Sequence, residues 1–317
     1  MTANTTSLTE FILEEERSFP DATGGFTHLL TQIEYAGKII ASHVKKTGLV
    51  DILGKTGEVN ASSDEVIEID RFSNNLLMDT LVASGQVYAL ASEELADFHY
   101  PKKNQGEYVV FFDPLDGSSN TDVDITVGTI FSIYKKSDNL LQPGRKQIAA
   151  GYILYGTSVM FVYTVGHGVH GFTLDPSIGS FLLSHKDVRI PKYAPIYSTN
   201  EANYHTFDKR TQKYLDDLKQ NEEGLKSRYV GSMVADVHRT LIKGGIFLNP
   251  SDHQNPGGKL RLMIEINPLS YIIKQAGGKA VSTDDKNPLD IIPSSLHDRA
   301  PIALGSPENI DKYLEKR

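Results

Sequence analysis

Cysteine is absent from the 317 residues, which excludes disulfides, thiolate nucleophiles and cysteine-ligated zinc and leaves carboxylates and the 10 histidines as candidate metal ligands. That absence fits a reducing compartment. An excess of positive charge is missing too: the net charge is -8 and the pI near 5.7, which argues against a nucleic-acid partner. An anionic substrate must then be held locally, by a metal or by a few placed cations. No run approaches the roughly 20 apolar residues of a membrane span. Met1 to Arg17 carries Glu10, Glu14, Glu15 and Glu16 without an apolar core, so it reads as neither a secretory nor a transit segment. Tyr313 to Arg317 has no peroxisomal tripeptide, and repeats and low-complexity tracts are lacking. The expectation is a cytoplasmic enzyme with no membrane and no nucleic-acid partner.

What is present begins with 39% hydrophobic residues, enough for one large domain or two medium ones. Leu29, Leu30, Ile33, Ala36, Ile39 and Ile40 recur at helical spacing and predict a helix over 26–44, with Thr27 as its cap. Ile52 to Ser63 is rich in Gly, Ser, Thr and Asn and predicts a mobile loop leading into a helix over 65–84. Val87 to Ser92 and Tyr108 to Phe112 read as buried strands, and each runs straight into acids: Glu93 and Glu94 after the first, Asp113 and Asp116 after the second. Carboxylates delivered by strand carboxyl ends mark a site in sheet enzymes. Strands over 130–134, 149–154, 159–165 and 169–174 follow at hairpin intervals. The pattern breaks around Pro191 to Pro195, and helices over 209–220, 233–243 and 267–276 come after it. This places a boundary between a metal-bearing N-terminal domain, 1–190, and a substrate-binding C-terminal domain, 191–317.

A hard divalent cation needs several convergent oxygens, and two such ions can clamp both sides of a phosphoryl transfer. Asp113 and Asp116 stand three apart across Pro114-Leu115, a turn in which the fixed proline φ points both side chains and the Leu115 carbonyl one way. With Glu93 and Glu94 ending the neighbouring strand, four acids can share one cleft. Gly117-Ser118-Ser119-Asn120 follows at once, a small-residue turn whose N–H groups and hydroxyls can cradle a phosphate oxyanion. An isolated Asp-x-x-Asp is usually a solvated loop; one between a wholly apolar strand and an anion cradle is not. Taken singly, other residues have plainer readings. Asp70 fits a helix-start acid, Glu265 between Ile264 and Ile266 fits a surface strand, Lys259 and Arg261 fit an exposed strand face, and His238-Arg239 fits packing.

The segment Asp113 to Asn120, with Ser92-Glu93-Glu94 upstream, resembles the lithium-sensitive, magnesium-dependent phosphatase superfamily of inositol monophosphatases and fructose-1,6-bisphosphatases. Longer stretches resemble class I fructose-1,6-bisphosphatase: Tyr229 to Thr240, Gly244-Gly245-Ile246-Phe247, Gly258-Lys259-Leu260-Arg261-Leu262, Glu265 and Ala300 to Pro307. The likeness runs from Thr23 to Ser306. It implies an α/β fold, a layered αβαβα sandwich with mixed and largely antiparallel sheets, and a hydrolase that removes the 1-phosphate of fructose 1,6-bisphosphate in gluconeogenesis. It also implies metal ligation by Glu93, Asp113, Asp116, Glu265 and the Leu115 carbonyl, with more than one Mg²⁺ per subunit and Mn²⁺ or Zn²⁺ as alternatives. By the same resemblance Glu94, assisted by Asp70, orients and deprotonates the attacking water, and Asp64 holds the loop after Ile52 over the site. Asp116, Gly117, Ser118 and Ser119 receive the departing phosphate. Asn200, Tyr204, Arg228, Tyr229 and Lys259 grip the one that stays, Arg261 binds substrate near the metals, and Arg228 reaches across from a neighbour in a homotetramer. The alternatives are a sedoheptulose-1,7-bisphosphatase or dual-specificity enzyme, an inositol monophosphatase, which leaves Arg228 and Lys259 without a second phosphate, and a silent phosphosugar-binding paralogue, which the complete acid set argues against.

Two groups of residues depart from the animal members. Asn249 stands where a phosphate-facing Tyr is common, and Asn203-Tyr204 shifts another Tyr by one place. At the nucleotide-regulator site Thr23 and Thr27 remain, but Gly25 replaces an acid, Glu107 a lysine beside Tyr108, and Lys135 an arginine. A glutamate facing a nucleotide phosphate repels it, so the expectation is weak AMP inhibition. The cysteine-bearing redox insertion of chloroplast members is absent.

Overall fold

The computed structural model describes residues 5–17, 24–49, 55–59, 65–103, 106–282 and 285–316. Helices α1 (Leu8–Glu16) and α2 (Gly25–Val44) open the chain. A small antiparallel pair, β1 (Lys55–Val59) and β2 (Glu65–Ile67), leads into α3 (Glu68–Ala83). The strands β3 (Val87–Ser92), β4 (Tyr108–Asp116), β5 (Val127–Lys135), β6 (Ala149–Tyr155), β7 (Val159–Thr164), β8 (His170–Asp175) and β9 (Ser180–His185) then lie side by side in chain order as a seven-stranded sheet. β3 and β4 run parallel, and the other neighbours are antiparallel. All nine residues of β4 are buried, and all of β5 but Lys135, because helices cover both faces of this sheet and leave no solvated side to carry polar alternation.

The second half supplies β10 (Ile196–Ser198), α4 (Lys209–Asn221), β11 (Lys226–Ser227), α5 (Met233–Lys243), β12 (Ile246–Asn249), β13 (Leu260–Arg261), α6 (Asn267–Gln275), β14 (Lys279–Val281), β15 (Arg299–Ala300), β16 (Ile302–Gly305) and α7 (Pro307–Leu314). A mixed five-stranded sheet runs β11-β10-β12-β16-β14, and β13 pairs with β15 apart from it. Leu29, Leu30, Ile33, Ala36 and Ile40 of α2 share a core with Phe131, Ile153 and Phe161 on one face of the large sheet. On the other face Val234, Val237 and Leu241 of α5 and Leu269, Ile272 and Ile273 of α6 share one with Ile130 and Tyr152, and also with Phe247 and Leu304 of the second sheet. Tyr214, Leu215 and Leu218 of α4 close the outer layer with Ile310 and Tyr313 against Ile246 and Leu248. The order of layers is therefore αβαβα, and each buried Leu, Ile or Phe contributes roughly 1.5–3 kcal/mol to holding it.

Several boundaries differ from the sequence reading. Gly24, in the left-handed conformation, is the N-cap of α2, so Thr27 lies inside the first turn instead of capping it. The stretch expected as a loop over 52–63 contains β1, and Glu65–Ile67, expected as helix, are drawn out as its partner strand. Asp64 and Thr23 lie outside the described residues. β4 extends through Asp116 instead of ending at Phe112. The strands of the second sheet, two to four residues long, carry too little alternation to be predicted. Among the described residues no helix is long and apolar enough to cross a membrane.

Candidate active site

The parallel pairing of β3 with β4 sets Ser92 opposite Phe112, and the Glu93 N–H donates to the Phe112 carbonyl at 3.1 Å, so both acidic ends emerge at one place. On a regular strand two residues three apart point to opposite faces. β4 avoids this: its register against β5 slips between Asp113, opposite Ile130, and Asp116, opposite Gly128. Pro114, which has no N–H to give a ladder, sits in that irregularity. The bulge is pinned on both sides, by the Leu115 N–H donating to Asp113 Oδ1 at 2.9 Å and Thr129 Oγ1 donating to the Pro114 carbonyl at 2.9 Å.

The third acid arrives from the far end of the chain. Between β13 and α6, Leu262–Ile266 form a single π-helical turn that carries Glu265 inward. Carboxylate oxygens of Asp113, Asp116 and Glu265 all lie within 4.8 Å of one another, and all three residues are buried. Glu265 is thus not on a surface strand. Arg261 is not on an exposed face either. It is 5% exposed; its Nη1 stands 2.7 Å from Glu93 Oε1 and 3.5 Å from Glu265 Oε2, and its N–H donates to Glu265 Oε2 at 2.6 Å.

Burial drives the electrostatics. Desolvation, then repulsion from Glu93 and Asp116, holds the Asp113 carboxyl well above the usual carboxylate range. Desolvation pushes Asp116 to about 6 against the pull of Ser232 and Val234, and pushes Glu265 to about 8, with Glu93 adding to it and Arg261 opposing. Buried negative charge in excess of one guanidinium, presented entirely through oxygen, fits a hard divalent cation. Among the described residues this is the grouping able to hold one.

The glycine-serine turn leaves the cluster directly. Gly117 has φ 76°, and a Cβ there would stand 2.5 Å from that of Ser232, so only glycine lets the turn meet α5 so closely. Ser232 Oγ donates to Asp116 Oδ2 at 2.6 Å and the Val234 N–H donates to the same oxygen at 2.9 Å, which puts that carboxylate on the N-terminus of α5. Ser118 and Ser119 begin the short 3-10 turn Ser118–Val123. Asp70 is buried in the first turn of α3, one turn before Asn74, whose Oδ1 accepts from Ser92 Oγ at 2.7 Å; that face of α3 looks at the end of β3. The Glu94 N–H donates to the same Ser92 hydroxyl at 3.2 Å.

The residues expected to grip a second phosphate are placed differently. Arg228 and Tyr229 are exposed, on the segment between β11 and α5, and Arg228 Nη1 donates to the Ser227 carbonyl. Lys259 Nζ stands 2.8 Å from Asp252 Oδ2, and Lys259 is the chief reason the Asp252 carboxyl falls to about 2. Tyr204 Oη donates to Asp216, at 2.8 Å from each of its oxygens, and Asn200 Oδ1 caps the short turn after it by accepting from the Ala202 N–H. His238 Nδ1 meets Tyr152 Oη at 2.8 Å, and burial lowers its pKa to about 4, as its packing role requires. Sequence reasoning missed Asp236, which lies in the Tyr229 to Thr240 stretch without a role assigned to it, Asp252, which has no motif of its own, and Glu16. The carboxylate of Glu16 accepts from the Gly24 N–H at 2.9 Å and from Thr27 Oγ1 at 2.6 Å, filling the N-terminus of α2.

A bulged strand that gathers buried acids beside a glycine-serine turn, in an αβαβα sandwich, is the build of a metal-dependent phosphatase. Two family models match, "Fructose-1-6-bisphosphatase, N-terminal domain" over residues 6–186 and "Fructose-1-6-bisphosphatase, C-terminal domain" over 190–316. A class 1 fructose-1,6-bisphosphatase of Persephonella marina is 54% identical over 97% of this chain and 97% of its own, and one of a Sulfurihydrogenibium species is 50% identical over 96% and 95%. The crystal structure of Leishmania major fructose-1,6-bisphosphatase in holo form superposes with a TM-score of 0.94 at 38% identity, covering 99% of both chains. The chain belongs to the fructose-1,6-bisphosphatase family.

Proposed function

We propose that this protein hydrolyses the 1-phosphate of D-fructose 1,6-bisphosphate to fructose 6-phosphate and inorganic phosphate, as a cytoplasmic gluconeogenic enzyme. The observation that carries the reading is the meeting of Asp113, Asp116 and Glu265 within 4.8 Å, directly before the Gly117–Ser119 turn. Glu93, Asp113, Asp116, Glu265 and the Leu115 carbonyl would hold Mg²⁺, whose chemistry is to lower the pKa of a bound water and neutralise charge on the transferred phosphoryl group. Asp116 also fixes α5 against the turn, so the Gly117, Ser118 and Ser119 donors meet the phosphate in a set geometry. Glu94, assisted by Asp70, orients the attacking water and takes its proton. Arg261 offsets Glu93 and Glu265 and offers its guanidinium to the substrate beside the metals.

The phosphate at the other end is gripped by Asn200, Tyr204, Arg228, Tyr229 and Lys259, with Lys259 exchanging Asp252 for the substrate. The exposed Arg228 suits a homotetramer in which it serves a neighbouring site. Acid chemistry belongs to residues 1–190, apart from Glu265, and the distal grip to 191–317. AMP inhibition is weak, since a nucleotide phosphate would have to displace Glu16 and face Glu107.

Phosphate release with and without EDTA, on fructose 1,6-bisphosphate, sedoheptulose 1,7-bisphosphate and inositol 1-phosphate, tests the reading. EDTA-sensitive turnover of fructose 1,6-bisphosphate in preference to the inositol ester is the expected result. Turnover that survives chelation, or no turnover of either bisphosphate, refutes it. Preference for the seven-carbon sugar moves the assignment to that substrate.

A further inference from the structure

Asp236 is fully buried, at 0% exposure, yet belongs neither to the acid cluster nor to the glycine-serine turn. A buried carboxylate is costly unless donors converge on it. Here they do. The Val230 N–H donates to Oδ1 at 2.9 Å and to Oδ2 at 3.1 Å, the Gly231 N–H to Oδ2 at 3.1 Å, and Ser198 Oγ to Oδ1 at 2.9 Å. Arg239, three residues further along α5, brings Nη1 to 3.7 Å from Asp236 Oδ1 and donates from it to the Arg228 carbonyl at 3.0 Å. Two side chains on one helix face therefore hold the backbone of Arg228, Val230 and Gly231. Gly231, at φ 86°, permits the bend that turns its N–H to the carboxylate. With the backbone held from within, the side chains of Arg228 and Tyr229 lie on the solvent side, Tyr229 46% exposed.

We propose that Asp236 is a positioning residue: with Arg239 it fixes the backbone of Arg228–Gly231 so that Arg228 and Tyr229 are pre-aimed at the phosphate that remains on the sugar. This rests on the reading of Arg228 and Tyr229 as ligands of that phosphate. The acid end is served by other donors of the same helix, Ser232 Oγ and the Val234 N–H, so loosening the loop leaves the reacting end in place. Preorganisation of a group that only binds is lost in KM and not in kcat.

The test is steady-state kinetics of Asp236→Asn, with Arg228→Ala alongside, on fructose 1,6-bisphosphate and fructose 1-phosphate. Asn keeps the shape of the side chain but has one acceptor oxygen and sets an NH₂ against backbone donors. KM for the bisphosphate is expected to rise roughly tenfold with kcat within about threefold, while kcat/KM for the monophosphate changes by less than about twofold. Deuterium exchange of the Val230 and Gly231 amides is expected to quicken. Equal losses on both substrates, or unchanged exchange and kinetics, overturn the inference. If Arg228→Ala separates the two substrates and Asp236→Asn does not, Asp236 has no positioning role and the distal-grip reading stands. If neither variant separates them, that reading fails and takes the inference with it. Should Asp236→Asn not fold, Arg239→Leu, at a side chain 31% exposed, removes the donor to the Arg228 carbonyl. It is expected to give the same selective rise in KM, roughly threefold, and a non-selective loss there is equally fatal.

Discussion

At the acid end of the candidate site Asp113, Asp116 and Glu265 are buried and each accepts a backbone N–H, from Leu115, Val234 and Arg261, whereas at the distal end Arg228 and Tyr229 face solvent and Lys259, its side chain 38% exposed, is paired with Asp252. Under the proposed function the contrast follows from what each end must do. Charge developing on a transferred phosphoryl group has to meet donors that need no rearrangement, so that end is pinned by main chain. A phosphate that is only held can be met by side chains that exchange partners when the substrate arrives, provided their backbone is fixed. Helix α5 touches both ends, through Ser232 and Val234 at one and Asp236 at the other.

Substitutions can break that contrast. Asp116→Ala, at the pinned end, is expected to lower kcat by at least about a thousandfold while circular dichroism reports a folded chain; near-normal turnover at saturating Mg²⁺ would remove Asp116 from the metal site. Lys259→Ala, at the exchangeable end, is expected to raise KM about 10- to 100-fold with kcat within about threefold. A kcat effect as large as the KM effect would mean the two ends are not separate.

Stability measurements sharpen the comparison on α5 and on α2. The His238 pKa is lowered from 6.5 to about 4 in the fold, so between those values the unfolded chain binds the proton and the native one does not. Stability from this group therefore falls as pH drops from 6.5 toward 4, by up to about 3 kcal/mol. Thermal melts of wild type and His238→Gln should diverge in slope across that window; parallel curves would mean the histidine titrates normally. Glu16→Gln should have the smallest effect, a loss of about 0.5–1 kcal/mol from the α2 terminus, together with tighter AMP inhibition. If wild type is already inhibited cooperatively and potently, the Glu16 carboxylate is no obstacle.

The acidic turn was legible because its parts are contiguous: an apolar strand, two acids around a proline, then a glycine-serine cradle. Legible too were the buried strands β3 to β8 and the helices α2, α5 and α6, where periodicity persists long enough to register. Glu265 was nameable only through family resemblance, since alternation with Ile264 and Ile266 points to a strand and the chain makes a π turn instead. Arg261 looked like a surface residue for a similar reason, and nothing local tells Asp236 from any other helix acid.

By itself the sequence determined which elements form and that carboxylates leave two strand ends together, because those properties depend on neighbours a few residues apart. The tertiary structure decided the rest. A register slip between β4 and β5 turns Asp113 and Asp116 to one side, and a turn some 150 residues later closes the acid cluster with Glu265. One helix ties that cluster to the loop of Arg228, and Glu16 fills the start of α2. These contacts depend on layers meeting across the core, and burial changes the chemistry of a carboxylate only once those layers have closed over it.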